Sequence, residues 1–103
     1  MAQFDVHRNT SKFRSHIPFL LVVQADRFDK ATSRVVVPLV AREVMRRPEK
    51  VLNLAFRIEG LDVFMEPLQV AAIPRAALGE LVCNLADHDI AIIRALDTLI
   101  ARS

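Results

Sequence analysis

Two short apolar runs constrain this chain more than any other feature. The first is Phe19-Leu20-Leu21-Val22-Val23 and the second is Arg34-Val35-Val36-Val37-Pro38-Leu39. Both are rich in β-branched residues, which are stiff at the branch point and favour extended backbone. Both are too short for a buried helix and are bounded by turn-forming or polar residues, so they read as strands. Pro18 precedes the first run and Gln24-Ala25-Asp26 follows it, which marks it as a central strand. Residues 26–33 are charged and read as an exposed loop, through which the two strands can pair. Pro38 has no N–H to give, so it is predicted at a sheet edge or at the end of the ladder.

The flanking segments extend this β pattern. Phe4-Asp5-Val6-His7 alternates apolar and polar residues and reads as a strand with one buried face. Residues 9–16 are polar, with Phe13 in their middle, and read as a loop. Residues 40–50 can carry a short helical turn, closed by Pro48. Leu54-Ala55-Phe56-Arg57-Ile58 and Val63-Phe64-Met65-Glu66 flank Gly60 and form a predicted hairpin with a slightly bulged turn, because glycine permits positive φ. Residues 68–73 read as extended. Leu78, Leu81, Val82 and Leu85 follow helical spacing after Pro74 and predict a short helix or a few loose turns, weakened by Gly79. The last element is a predicted helix over residues 88–100. Ile92, Leu96 and Leu99 form its apolar stripe, Ile93 and Ile100 widen it, and Asp87 or Asp89 caps its start. The fold class is mainly β, or α+β: antiparallel strands in a curled sheet or partly closed barrel, with a C-terminal helix over one open side.

Composition bounds the rest. The chain has 103 residues, 52% hydrophobic and 25% charged, which fits a single globular domain over residues 1–103. Residues 1–50 carry ten basic and five acidic side chains, and residues 51–103 carry four and seven. Each half can solvate its own surface, or the basic half can face an acidic partner. A nucleic-acid-binding barrel using Arg42, Arg46, Arg47 and Lys50 is a further class. Cys83 is the sole cysteine, so no intramolecular disulfide can form, and it reads as a small buried hydrophobe. No apolar run approaches the ~20 residues of a membrane span, and the N-terminus does not resemble a signal peptide. The expected compartment is the cytoplasm.

Little in the sequence suggests bond chemistry. Two isolated glycines cannot form a phosphate-cradling loop, and one cysteine excludes a Cys-rich zinc site. His7 reads as solvent-facing or hydrogen-bonded, and His16 as loop surface. His88, between Asp87 and Asp89, reads as part of a helix cap. Ser11 and Ser33 lack an identifiable base. With no Trp or Tyr, a single-strand binder would have to stack bases on its six phenylalanines. Of these, Phe4, Phe19, Phe56 and Phe64 read as core. The expectation is a binding protein and not an enzyme, with no metal, no cofactor, no membrane partner and no direct nucleic-acid contact.

In order and spacing, these segments resemble the CcdB family of plasmid and chromosomal toxins. The residues that carry the resemblance are Gln3-Phe4-Asp5-Val6, Phe19 to Gln24, Arg34 to Leu39, Leu54 to Gly60, Met65-Glu66-Pro67, Ala72-Ile73-Pro74, Leu78-Gly79-Glu80 and Asp89-Ile90. The resemblance spans essentially the whole chain. It implies a curled five-stranded antiparallel sheet of SH3-like character, a small extra sheet and a C-terminal helix. It also implies a cytoplasmic homodimer that binds the A subunit of DNA gyrase, traps the cleaved-DNA complex, and is neutralised by a small, partly disordered antitoxin. Ile92, Leu96 and Leu99 would support the C-terminal helix, and Ala101, Arg102 and Ser103 would occupy the gyrase-contact positions. The family's gyrase poison carries Trp, Gly and Ile there, so its aromatic anchor is an alanine in this chain. That departure raises an alternative: a relative that does not poison gyrase, and keeps antitoxin binding or acts on another target.

Overall fold

The computed structural model describes residues 2–101. Seven strands form in chain order: β1 (Asp5–Asn9), β2 (Phe19–Val22), β3 (Ser33–Ala41), β4 (Ala55–Ile58), β5 (Leu61–Met65), β6 (Ala71–Pro74) and β7 (Leu78–Asn84). One α-helix, α1 (Asp89–Ile100), follows. The strands join in one antiparallel sheet, ordered β4-β5-β3-β2-β1-β7, with β6 also paired to β3. The sheet is a curled half-barrel, the architecture that the sequence and the resemblance imply. All seven strands belong to one hydrogen-bonded network.

β3 organises the sheet. One edge pairs with β2, from Val22↔Val36 to Phe19↔Leu39. The other edge is shared, with β6 opposite residues 33–36 and β5 opposite residues 39–41. Pro38 was expected at a sheet edge or ladder end, yet it lies inside this longest, central strand. The split between β5 and β6 explains how. The carbonyl of Pro38 accepts Glu66 N–H at 3.0 Å, so its nitrogen faces the same shared edge. No strand partner stands opposite residues 37 and 38 there, so the missing donor breaks no ladder bond.

The concave face buries Val6, Phe19, Leu21, Val37, Leu39, Ile58, Val63 and Met65. Ile92 and Ala95 of α1, both fully buried, complete that core. Leu96 packs against it and Leu99 is half-buried. Asp87 and Asp89 do not cap α1 as expected. His88 occupies the capping position without a side-chain bond, and Asp89 Oδ1 instead accepts the neighbouring Ile90 N–H at 2.7 Å. The His88 ring packs edge-on against Phe56, with centroids 5.2 Å apart. No helix among the described residues is long and apolar enough to cross a membrane.

Two further expectations are corrected. Residues 78–84 form an edge strand on β1 and not a helix. The pairing slips between Val6 and His7 and again between His7 and Asn9. Such bulges break the period-two alternation, so the apolar spacing of β7 imitates a helix. Residues 42–44 form a turn, with Val44 N–H bonded to the Ala41 carbonyl at 2.9 Å, and no helix follows.

The two glycines work differently. Glu59 and Gly60 form a two-residue connection between Ile58 and Leu61, with φ of 52° and 79°. That is the left-handed pair a tight hairpin needs, so the turn is regular and not bulged. Gly79 lies under β1, where a Cβ would stand 2.7 Å from the Arg8 carbonyl oxygen and 2.8 Å from Thr10 Cγ2. Its own carbonyl accepts His7 Nδ1–H at 2.9 Å, and His7 is buried. Gly60→Ala meets open space and should cost roughly 1–2 kcal/mol through its φ alone. Gly79→Ala must push backbone aside, so it should cost more and loosen the β1–β7 pairing. Chemical denaturation of both variants checks the order; equal midpoints would contradict it.

Candidate functional site

The residues best placed for chemistry lie where β3 ends. Three segments meet there: the β1–β2 turn, the residues after Ala41, and the start of β5. The turn is closely tied. Asn9 Nδ2 donates to the Ile17 carbonyl at 2.8 Å, Asn9 Oδ1 accepts Ser11 N–H at 3.1 Å, and the Phe13 carbonyl accepts Ile17 N–H at 2.9 Å. Ala41 N–H then bonds the His16 carbonyl at 2.8 Å, joining the turn to β3. Arg42 N–H bonds the Asp62 carbonyl at 3.1 Å, joining β3 to the β4–β5 hairpin.

Two adjoining clefts open between these segments. One, of about 370 Å³, is lined by Arg42, Phe56, Arg57 and Phe64 among others. The second, of about 300 Å³, is lined by Arg14, Ser15, Glu43 and Leu61 among others. Asp62 and Val63 belong to both, so the pair forms one groove. Asp62 holds two of its three arginines: Arg57 Nη1 is 3.3 Å from Oδ1, and Arg42 Nη1 is 3.9 Å from Oδ2. Arg14 Nη1 donates to the Ser11 carbonyl at 3.2 Å. Arg42 and Arg57 are about 70% exposed, and ion pairs in that setting contribute little. Their guanidinium forks can therefore change partner at small cost, and a phosphate is the partner that matches them bidentately. Glu43 makes no ion pair among the described residues, which leaves a carboxylate in the groove able to accept a proton. His16 rides exposed on the same turn.

Other candidate chemistry is weaker. Among the described residues no group of three or more His, Cys, Asp or Glu side chains is placed to hold a metal ion. Cys83 is half-buried on β7, and burial pushes its thiol above the ordinary range, with Glu59 and then Asp5 adding to the effect. It is protonated at neutral pH and poorly suited to act as a nucleophile.

Of the positions singled out from the sequence, Arg42 lies in the groove, and those the resemblance implies lie elsewhere. Ile92, Leu96 and Leu99 face the core or its margin. Ala101 is exposed and extended just beyond α1. Arg102 and Ser103 fall outside the described residues. The groove itself was missed. Arg14, Arg42 and Arg57 are scattered along the chain, and only strand pairing gathers them. The basic character of residues 1–50, and Arg42 within it, was the signal that pointed toward it.

Two solved structures are similar to this chain over nearly its full length. An endoribonuclease from a mycobacterial species, in complex with its cognate antitoxin, matches with a TM-score of 0.77 at 16% identity, covering 100% of this chain and 99% of that one. A second mycobacterial endoribonuclease matches with a TM-score of 0.69 at 15% identity, covering 95% and 88%. No curated protein sequence matches. These findings correct two expectations. The gyrase-poison activity implied by the resemblance is withdrawn, with the gyrase A subunit as partner, because these two solved proteins of the same fold are endoribonucleases. The expectation that the chain catalyses nothing is withdrawn on the same finding. The family's model, described as CcdB protein, matches residues 3–101, and the chain belongs to the CcdB family.

Proposed function

We propose that this protein is the toxin of a toxin–antitoxin pair and that it cleaves single-stranded RNA in the groove at the end of β3. The observation that carries the reading is the gathering of Arg14, Arg42 and Arg57 around Asp62, beside the unpaired Glu43. The whole-chain likeness in fold to two endoribonucleases supports it.

The chemistry needs only the RNA itself. The 2′-hydroxyl attacks the adjacent phosphorus and the P–O5′ bond breaks, leaving a 2′,3′-cyclic phosphate and a 5′-hydroxyl. In this scheme Glu43 takes the 2′ proton, and His16, exposed on the neighbouring turn, returns a proton to the departing 5′ oxygen. Arg42 and Arg57 leave Asp62 for the phosphate, where negative charge grows as the new bond forms. Asp62 keeps the two forks parked and aligned until RNA arrives.

The protein works in the cytoplasm as a homodimer held by a small antitoxin. An uncovered apolar flank of α1 supports the dimer: Ile93 is 46% exposed and Ile100 80%. Both lie beside the buried stripe of Ile92 and Ala95. Replacing both isoleucines with Glu should convert the dimer to a monomer in sedimentation. A wild-type monomer, or a variant that stays dimeric, would refute this.

Purified protein should cut a pool of unstructured RNAs and leave 5′-hydroxyl ends. Arg57→Ala and Arg42→Ala should each slow cutting by about 100-fold, the usual effect of removing one charge-stabilising donor. Glu43→Gln should slow it while leaving RNA affinity nearly unchanged. If the wild-type protein cuts no RNA, or all three variants cut at the wild-type rate, the groove is not the active site.

A further inference from the structure

The chain has six phenylalanines, and the fold uses them unequally. Phe4 and Phe19 are buried, and Phe56 and Phe64 are half-buried. Phe13 and Phe28 are 56% and 55% exposed. A single exposed ring is ordinary on a soluble protein. What sets Phe13 apart is its place on the turn that borders the groove. Its backbone is fixed on both sides: its N–H bonds Ser11 Oγ at 3.2 Å, and its carbonyl accepts both His16 N–H and Ile17 N–H, at 3.1 and 2.9 Å. The ring is thus presented on a braced turn. Lys12 Nζ lies 5.3 Å from its centroid, so one side of the ring already holds a cation. The next residue, Arg14, lines the groove.

We infer that Phe13 is a stacking platform for one base of a single-stranded RNA whose phosphates run over Lys12 and Arg14 into the groove. This rests on the RNA-cleaving reading and deepens it by naming how the strand is held. A solvent-open aromatic ring with a cation beside it, next in sequence to a groove arginine, matches a flat apolar base joined to an anionic backbone. A base paired inside a duplex could not reach it, so the platform selects unpaired RNA. Phe28 has a comparable setting, with Arg27 5.1 Å from its ring and its own N–H and carbonyl bonded to Ala25 and Ala31, but it lies far from the groove. It sits on the β2–β3 loop, which enters β3 at its opposite end, the length of that strand away from Ala41.

The absence of tryptophan and tyrosine gives a clean probe. Phe13→Trp places a single indole at the platform. The ligands are 2′-O-methyl oligouridylate and oligoadenylate, which lack the attacking hydroxyl and survive. Binding is read by anisotropy of a labelled oligomer and stacking by tryptophan quenching. Phe13→Trp should bind like wild type and be quenched at saturation. Phe13→Ala should bind about 5- to 100-fold more weakly, the range for one stacked base. Phe28→Ala should bind like wild type, and matching melting curves should show all three variants folded. If wild type binds but Phe13→Ala binds equally and Phe13→Trp is not quenched, the platform is refuted and the groove reading stands. If wild type binds neither oligomer, both fall. If Phe13→Ala weakens only capture of the cognate antitoxin, the ring is a protein-docking surface and the inference is wrong.

Discussion

The double-sided pairing of β3 is the constraint on which the rest of the structure depends. A nine-residue strand flanked by β2 on one edge and by both β5 and β6 on the other must satisfy two ladders at once. Its valines suit that place, since a strand covered on both edges over most of its length gains from stiff, branched side chains. Pro38 is tolerated because the second edge changes partner at that point. The same split sends β5 toward the C-terminal end of β3 and β6 toward its start. The β4–β5 hairpin therefore stands beside the β1–β2 turn, and the groove exists because β3 holds them both.

Two kinds of arginine show how the fold separates support from chemistry. Arg34 is 1% exposed and spends four hydrogen bonds on the loop before β3: to the carbonyls of Ala31, Ser33 and Asp29, and to Asp29 Oδ1. A cation taken out of water at that depth must keep its acceptors, so this side chain is committed to holding the loop. Arg42 and Arg57 share one exposed carboxylate and are held loosely. Water screens that attachment, and little is lost when it is exchanged for another anion. Availability for a ligand follows from weak partnership, not from the number of positive charges.

The legible and illegible parts of the sequence divide along the same physical lines. Phe19 to Val22 and the valines of β3 could be read because their pattern is local and their burial on both edges leaves one outcome. β7 could not, since two slips of register against β1 scatter its apolar residues into a helical spacing. Asp87 and Asp89 had the right chemistry for a cap, but the chain enters α1 through a 3-10 turn at Ala86–His88 that puts His88 at the capping position. The groove was invisible for a different reason. Arg14, Arg42 and Arg57 come from three segments that only the sheet order brings together. Ala101, by contrast, is where the sequence itself departs from the aromatic anchor of the family's gyrase poison.

One half-barrel can serve proteins with different targets because its surfaces are largely independent. The concave core and α1 set the shape, and Phe56 and Val63 are the residues that this core shares with the groove lining. The turn at residues 11–17, the residues after Ala41 and the β4–β5 connection hang from that frame. Their exposed side chains can vary in charge without entering the buried cluster around Ile92 and Leu39. A family defined by its buried pattern therefore fixes the frame and says little about these three segments, and activity has to be argued from them. In this chain they carry three arginines against Asp62 and Glu43, a small positive excess on a braced surface. Binding there should be sensitive to salt, while the core, which has no stake in those charges, should be indifferent to it.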